Sequence, residues 1–207
     1  MGDNRLTRIT TRTGDDGSTG LADGTRLAKA QPRIAALGDI DELNAAIGLL
    51  CVAPALDAKL LERLREVQHD LFDLGGELSL PGSTVLRRDA LNALEADIAA
   101  WNTAIPALKE FVLPGSNEAN ARAHLARTLC RRAERALWVL AAHAGESLPD
   151  TLPAAPELPR YLNRLGDWLF VLARMLAQHD GGTEVTWRRG PTATTAADHS
   201  AIRPDTP

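Results

Sequence analysis

Cysteine, aromatic residues and long apolar runs are all scarce in this sequence of 207 residues. The two cysteines, Cys51 and Cys130, form no C-x-x-C pair, which argues against both a disulfide framework and a zinc knuckle. No apolar run is long enough to cross a bilayer, and the N-terminal residues lack the apolar core of a signal peptide. We therefore expect a cytoplasmic protein with no membrane partner.

The sequence also lacks a strong excess of charge of one sign. The formal net charge is −4, with 24% charged and 44% apolar residues, which is ordinary for a single globular domain. This balance gives no general attraction to nucleic acid, so we expect no nucleic-acid partner and only local basic sites. We assign the domain to residues 1–190 and expect a disordered tail over 191–207, which is rich in Thr, Ala and Pro.

Apolar residues recur every three or four positions over five stretches, which predicts five amphipathic helices. The stretches run from Pro32 to about 50, from about 57 to 80, 89 to 102 and 118 to 143, and from near Pro159 to before Gly181. Mostly short links favour an all-α, antiparallel five-helix bundle, of the up-and-down kind seen in ferritins and cytochromes. Residues 1–31 lack this periodicity, and we expect them to form an irregular arm.

The predicted fourth helix carries an unusual density of arginine. Arg127, Arg131 and Arg135 share one face at i, i+4 spacing, with Arg132 and Glu134 beside them. Like charges at this spacing repel one another by about 0.3 kcal/mol. A solvated basic face explains the pattern as well as a binding site does. The functional interpretation is a polyanion site, because arginine forks match pairs of phosphate oxygens.

The N-terminal arm alternates glycines with hydroxyl residues over residues 11–20. Such a segment brings backbone N–H groups and hydroxyls close to phosphate, and Arg12 and Lys29 add positive charge. It matches neither a Walker A loop nor G-x-G-x-x-G, and taken alone a loose terminus explains it equally well. Together with the arginine helix, the arm favours a site for a nucleoside triphosphate.

Polar residues interrupt two of the apolar stripes. Asp41 lies in the first predicted helix and Asn163 in the fifth. They serve either as ordinary surface or hydrogen-bonding groups, or to orient the arginines or a ligand. The single Glu-x-x-His pair, Glu66 and His69, has no second copy, whereas di-iron bundles need two copies and two further glutamates. We therefore predict no metal centre held by the protein.

Six segments, in this order, resemble the PduO-type ATP:cob(I)alamin adenosyltransferases. They are TRTGDDGST (11–19), GDIDELNA (38–45), QHDLFDLGGEL (68–78), FVLPG (111–115), HLARTLCRRAER (124–135) and YLNRLGDWLFVLAR (161–174). The resemblance covers about residues 8–190. It implies a homotrimer of five-helix bundles, with ATP bound between neighbouring subunits.

The resemblance also implies roles for individual residues. Asp41 would pair with Arg127 of the adjacent subunit near the corrin, and Phe111 would lie under the corrin ring and displace its lower ligand. The sequence departs from the family at Gly166, where serine is common, and has no match after Arg189. The residues implied in ATP binding are Thr11, Arg12, Thr13, Gly14, Thr19, Lys29, Arg131, Arg132, Glu134, Arg135 and Asn163.

The implied reaction transfers the 5′-deoxyadenosyl group of ATP to the cobalt of cob(I)alamin, giving adenosylcobalamin and triphosphate. ATP and cob(I)alamin would be the substrates, Mg²⁺ would accompany ATP, and an adenosylcobalamin-dependent enzyme would be a candidate acceptor of the product. Cobalt in this state is itself a strong nucleophile, so no general base is required. Two alternatives stay open: a non-catalytic ATP-sensing or cobalamin-delivery module, and a helical scaffold whose arginine face binds an acidic protein.

Overall fold

The protein is described here by a computed structural model covering residues 10, 12–54, 56–143, 157–179 and 182–189. Over these residues it contains five helices: α1 (Pro32–Cys51), α2 (Ala58–Ser79), α3 (Ala90–Asn102), α4 (Glu118–His143) and α5 (Glu157–Ala177). The all-α bundle predicted from the apolar periodicity is confirmed. Thr11 and the predicted tail over 191–207 lie outside the described residues.

The helices begin where the sequence supplies suitable groups. Pro32 occupies the first turn of α1, where its missing N–H costs nothing. The Asp57 side chain caps α2 by accepting a hydrogen bond from the Leu60 N–H at 2.7 Å. In the same way, Asn117 accepts from the Asn120 N–H at 2.8 Å at the start of α4. These groups explain why the predicted and observed starts of α1, α2 and α4 agree to within one residue.

The core is built around α4, which packs between α1 and α5, while α2 covers α1 and α3 covers α5. Three buried alanines of α4, Ala123, Ala126 and Ala133, allow this close approach of helix backbones. Leucine and isoleucine fill most of the remaining core, with Tyr161 and Trp168 of α5 fully buried among them. The arrangement leaves one face of α4 and α5 free to line a site.

The arm contains a short hairpin that the apolar pattern did not predict. Strands β1 (Ser18–Gly20) and β2 (Arg26–Ala28) pair antiparallel, with Ser18 opposite Ala28. The turn between them relies on Gly24, whose φ of 88° suits glycine. Strands of three residues are too short for an alternating pattern to show. The hairpin docks on the bundle through a hydrogen bond from the Ala22 N–H to the Ser79 carbonyl at 2.9 Å.

After α5, the described segment 182–189 runs back along the loop that precedes α4. Val112 and Thr186 form an isolated antiparallel bridge between the two segments. The segment therefore fastens the loop containing Phe111 to the end of the bundle. None of the helices described is both long and apolar enough to cross a membrane.

Candidate functional site

A cleft of about 810 Å³ opens between α3, α4 and α5. Three residues predicted from the sequence line it: Arg127 and Arg131 from α4, and Asn163 from α5. The wall also includes residues that the sequence reasoning did not assign to ATP, namely Glu95, Asn102, Arg164, Asp167 and Phe170. The cleft thus combines cationic, acidic, amide and aromatic groups at one surface.

Arg131 is held on two sides at the wall of this cleft. Its Nη1 donates to Asn163 Oδ1 at 2.7 Å and lies 2.7 Å from Glu134 Oε2. Gly166 provides the space, since a Cβ there would lie 3.2 Å from Arg131 Cδ. Glu134 is buried, whereas almost half of the Arg131 side chain is exposed. The guanidinium is therefore oriented in advance and still accessible to an anion.

The other two arginines of the cluster take different positions. Arg135 is exposed and donates to the Arg131 carbonyl at 3.0 Å. Arg132 points towards α1, where it pairs with Asp39 at 3.0 Å and also with Glu42. Neither residue lines the cleft. Asp39 was missed by the sequence reasoning, because only the contact between α1 and α4 shows that it faces Arg132.

The Arg127 side chain contacts the aromatic ring of Phe170 and the imidazole of His124. Its guanidinium carbon lies 6.0 Å from the centre of the Phe170 ring, and its Nε donates to His124 Nδ1 at 3.4 Å. His124 is only 3% exposed, and burial lowers its pKa, as does the nearby charge of Arg127. A neutral His124 accepts this bond, whereas a protonated ring could not. The i, i+3 spacing of the two residues was the only signal for this contact in the sequence.

The predicted arm residues form a compact loop supported by the hairpin. Lys29 Nζ donates to the Gly14 carbonyl at 2.8 Å, and Arg26 donates to the Thr13 carbonyl. A Cβ at position 14 would lie 3.0 Å from the Ser18 carbonyl oxygen, so a side chain there would be crowded. The structure therefore brings together the described members of the predicted set that lie in the arm, which are Arg12, Thr13, Gly14, Thr19 and Lys29.

The predicted site residues are nevertheless spread over separate places in one chain. None of the described arm residues lines the cleft between α3, α4 and α5. Asp41 lies in a different groove, between α1 and α2, beside Phe72 and Gly75. Phe111 projects from the loop before α4 and is 79% exposed. One chain by itself assembles only part of the predicted site.

Metal-binding side chains are not clustered in the described part of the chain. No group of three or more His, Cys, Asp or Glu side chains there could hold a metal ion. His69, from the Glu-x-x-His pair, is exposed.

Comparison with known proteins identifies the family. Residues 9–176 match the sequence family described as cobalamin adenosyltransferase. This chain belongs to that family. The resemblance found in the six sequence segments is thereby confirmed.

Relatives within the family cover nearly the whole chain. A cobalamin adenosyltransferase of Cupriavidus metallidurans is 52% identical over 186 residues, spanning 90% of this chain and 97% of the relative. A corrinoid adenosyltransferase of Mycobacterium tuberculosis is 44% identical over 192 residues, spanning 89% of this chain and 95% of the relative.

A solved structure supports the same assignment. A variant PduO-type ATP:corrinoid adenosyltransferase from Lactobacillus reuteri, complexed with cobalamin and ATP, superimposes with a TM-score of 0.79. The two chains are 30% identical, and the match covers 88% of this chain and 100% of the Lactobacillus reuteri chain. The shared fold therefore extends over the bundle and most of the described chain.

Proposed function

We propose that this chain is an ATP:cob(I)alamin adenosyltransferase, which transfers the 5′-deoxyadenosyl group of ATP to the cobalt of cob(I)alamin. The observation that carries the proposal is the oriented Arg131 in an open cleft, held by Asn163 and Glu134. Family membership supports the same activity, since relatives at 52% and 44% identity are named for it. We also propose a cytoplasmic location and an adenosylcobalamin-dependent enzyme as acceptor of the product.

The reaction is a nucleophilic displacement at the 5′ carbon of ATP. The cobalt of cob(I)alamin supplies the electron pair for the new cobalt–carbon bond, and the bond from carbon to the triphosphate oxygen breaks. The leaving triphosphate takes that electron pair, so negative charge grows on it in the transition state. The task of the protein is to align the reactants, neutralise this charge and exclude water. The absence of a general base from the predicted site fits such chemistry.

We propose that each ATP site is shared by two subunits of a homotrimer. The arm of one subunit would supply Lys29 and the loop around Gly14, and the next subunit would supply the cleft. Two observations support this: the described residues of the arm do not line the cleft of their own chain, and α1 and α4 expose large apolar side chains that an interface would cover. These exposed side chains are Leu49, Leu125, Trp138 and Val139.

Within this shared site, the triphosphate would contact cationic, hydroxyl and backbone N–H groups from both subunits. Mg²⁺ would arrive with ATP and add positive charge, since the described chain offers no cluster to hold it alone. Glu134 would act by orienting Arg131 rather than by contacting phosphate. The residues proposed to form the ATP site, by contact with ATP or by orienting a neighbour, are Thr11, Arg12, Thr13, Gly14, Thr19, Lys29, Arg131, Arg132, Glu134, Arg135 and Asn163.

The part of the site that binds cobalamin would include Asp41, Arg127 and Phe111. Neither Asp41 nor Arg127 forms an ion pair with a described residue of its own chain, which leaves both available to pair across the interface. The exposed ring of Phe111 would fill the space under the corrin, where it offers no lone pair to cobalt. Loss of the lower axial donor makes Co(II) easier to reduce, which favours formation of cob(I)alamin.

Incubation of the protein with ATP and chemically reduced cobalamin tests the proposed function. The enzyme should produce the light-sensitive absorption spectrum of adenosylcobalamin, together with one triphosphate per adenosyl group transferred. ATP binding without product would indicate a sensor or delivery module, and absence of both would indicate a scaffold. Either of these results would overturn the proposed activity.

A further inference from the structure

A buried ion pair joins the end of α5 to the segment that follows it. Arg174, in the last turn of α5, is only 5% exposed. Its guanidinium contacts both carboxylate oxygens of Glu184, at 2.8 and 3.0 Å. It also donates to the Pro106 carbonyl at 2.7 Å. Arg174 therefore connects three parts of the chain: α5, the segment 182–189 and the loop before α4.

Gly182 allows the chain to double back closely enough for this pair to form. A Cβ at position 182 would overlap the carbonyl oxygen of Ala177, and the Gly182 N–H donates to the His179 carbonyl at 3.1 Å. A residue with a side chain would need the backbone to move away from α5. The glycine therefore brings Glu184 back alongside Arg174.

The segment held by Glu184 in turn holds the backbone around Phe111. The Leu113 N–H donates to the Val185 carbonyl at 2.7 Å, and the Trp187 N–H donates to the Phe111 carbonyl at 2.7 Å. The backbone of Phe111 is thus fixed, although its ring is 79% exposed. A pairing with so few hydrogen bonds is marginal without support from the rest of the fold. The Arg174–Glu184 pair provides such support at the start of the segment.

We propose that Arg174 and Glu184 are positioning residues for Phe111. By fixing the segment 182–189 they set where the Phe111 ring stands when cobalamin binds. This inference rests on the proposed role of Phe111 at the lower face of the corrin. The buried Arg174–Glu184 pair would thus contribute to the formation of cob(I)alamin and not to the binding of ATP.

Amide hydrogen exchange tests the structural half of the proposal without any substrate. Glu184→Gln keeps the shape of the side chain but removes its charge and one acceptor. Exchange in peptides containing the Leu113 and Trp187 amides should accelerate about tenfold in this variant. The matched control is Glu157→Gln, which alters the exposed Arg160–Glu157 pair at the other end of α5. Unchanged exchange in Glu184→Gln would overturn the proposal.

Electron paramagnetic resonance of bound cob(II)alamin with ATP tests the functional half. Glu184→Gln should show less of the four-coordinate species than the wild type, with an unchanged KM for ATP. Its rate should fall about tenfold when a mild reductant must generate cob(I)alamin, and recover largely when cob(I)alamin is supplied. Equal losses under both conditions, or a higher KM for ATP, would instead show a general structural defect and overturn the positioning role.

A second pair of variants tests the connection without disturbing the buried arginine. Trp187→Pro removes the N–H that bonds the Phe111 carbonyl, whereas Trp187→Ala loses the same ring but keeps that N–H. Trp187→Pro should lose more of the four-coordinate species than Trp187→Ala, and equal spectra would contradict the proposal. If the wild type forms no adenosylcobalamin at all, the proposed function fails, while the exchange experiment still reports on the pairing.

Discussion

At the scale of single residues, the orientation of Arg131 is the feature most directly tied to the proposed chemistry. A long arginine side chain normally loses rotamer freedom when it binds an anion. Here its contacts with Asn163 and Glu134 fix the guanidinium before any ligand arrives. The rotamer entropy of this side chain is therefore lost during folding and not when the anion binds. A site of this kind stabilises charge that develops during the reaction.

Replacement of Arg131 should impair the chemical step as well as ATP binding. We expect Arg131→Ala to lower kcat/KM for ATP by about 100-fold or more, because charge on the leaving triphosphate grows in the transition state. Arg131→Lys should recover little of this loss, since an ammonium group cannot reproduce the planar fork. Steady-state kinetics with Arg160→Ala as an exposed control would check both. Near-normal kinetics in Arg131→Ala would remove Arg131 from the site.

His124 should make the stability of the protein depend on pH. Burial lowers its pKa in the folded state, so the unfolded chain takes up a proton first as the pH falls below about 6.5. The free energy of unfolding should therefore decrease from that pH down to the lowered pKa. Denaturant titrations of the wild type and His124→Gln should show a shallower decline in the variant. Parallel curves for the two proteins would mean that His124 is not buried in its neutral form.

At the scale of structural elements, periodicity predicted the helices well and the short segments poorly. Repeated apolar residues over about four to seven turns, with Pro32 and Asp57 at two starts, leave few alternatives to the observed helices. The hairpin of the arm was not predicted, because each of its strands has only three residues and shows no alternating pattern. The sequence pattern gave no direction for the Arg132 side chain, and packing of α1 against α4 turns it towards Asp39. Side-chain direction depends on neighbours that a single helix pattern does not contain.

One tertiary contact between elements should carry a large share of local stability. Asp70 of α2 is buried and accepts from Arg87 at 2.7 and 3.2 Å and from the Tyr161 hydroxyl at 3.0 Å. Burial and this carboxylate together raise the pKa of Tyr161. Asp70→Ala would strand the buried hydroxyl and the arginine, and we expect it to lower the free energy of unfolding by about 3 kcal/mol.

The matched control for Asp70 is Asp89→Ala. Asp89 contacts the same arginine at 3.3 Å, but it is largely exposed. Its removal should change the free energy of unfolding by no more than about 0.5 kcal/mol. Urea denaturation measures both variants. Equal effects at the two positions would show that burial of Asp70 does not determine the strength of the contact.

At the scale of the whole molecule, the parts of the proposed site lie apart in one chain. Asp41 lies in the groove between α1 and α2, and Arg127 lies in the cleft formed with α5. The family resemblance implied a pairing of these two residues, which the described part of a single chain does not form. In the proposed trimer, an interface between subunits would bring these two groups together.

A double-mutant cycle tests the proposed pairing of Asp41 with Arg127. Asp41→Asn and Arg127→Ala should each reduce activity sharply, since removal of one partner leaves the other charge uncompensated at the interface. The double variant should be little worse than either single variant, because the pair is already broken. Rates of adenosylcobalamin formation provide the measurement. Strictly additive losses in activation free energy would argue against the pair.

The central claim is catalysis at sites shared between subunits, and complementation between two defective variants tests it most directly. Lys29→Ala damages the arm, and Arg131→Ala damages the cleft. Mixed trimers, isolated with a different affinity tag on each variant, would contain sites built from the intact arm of one chain and the intact cleft of the other. Each isolated mixed trimer should contain one intact site out of three, so adenosylcobalamin formation should rise clearly above that of either parent. Mixed trimers no more active than their parents would contradict the shared site.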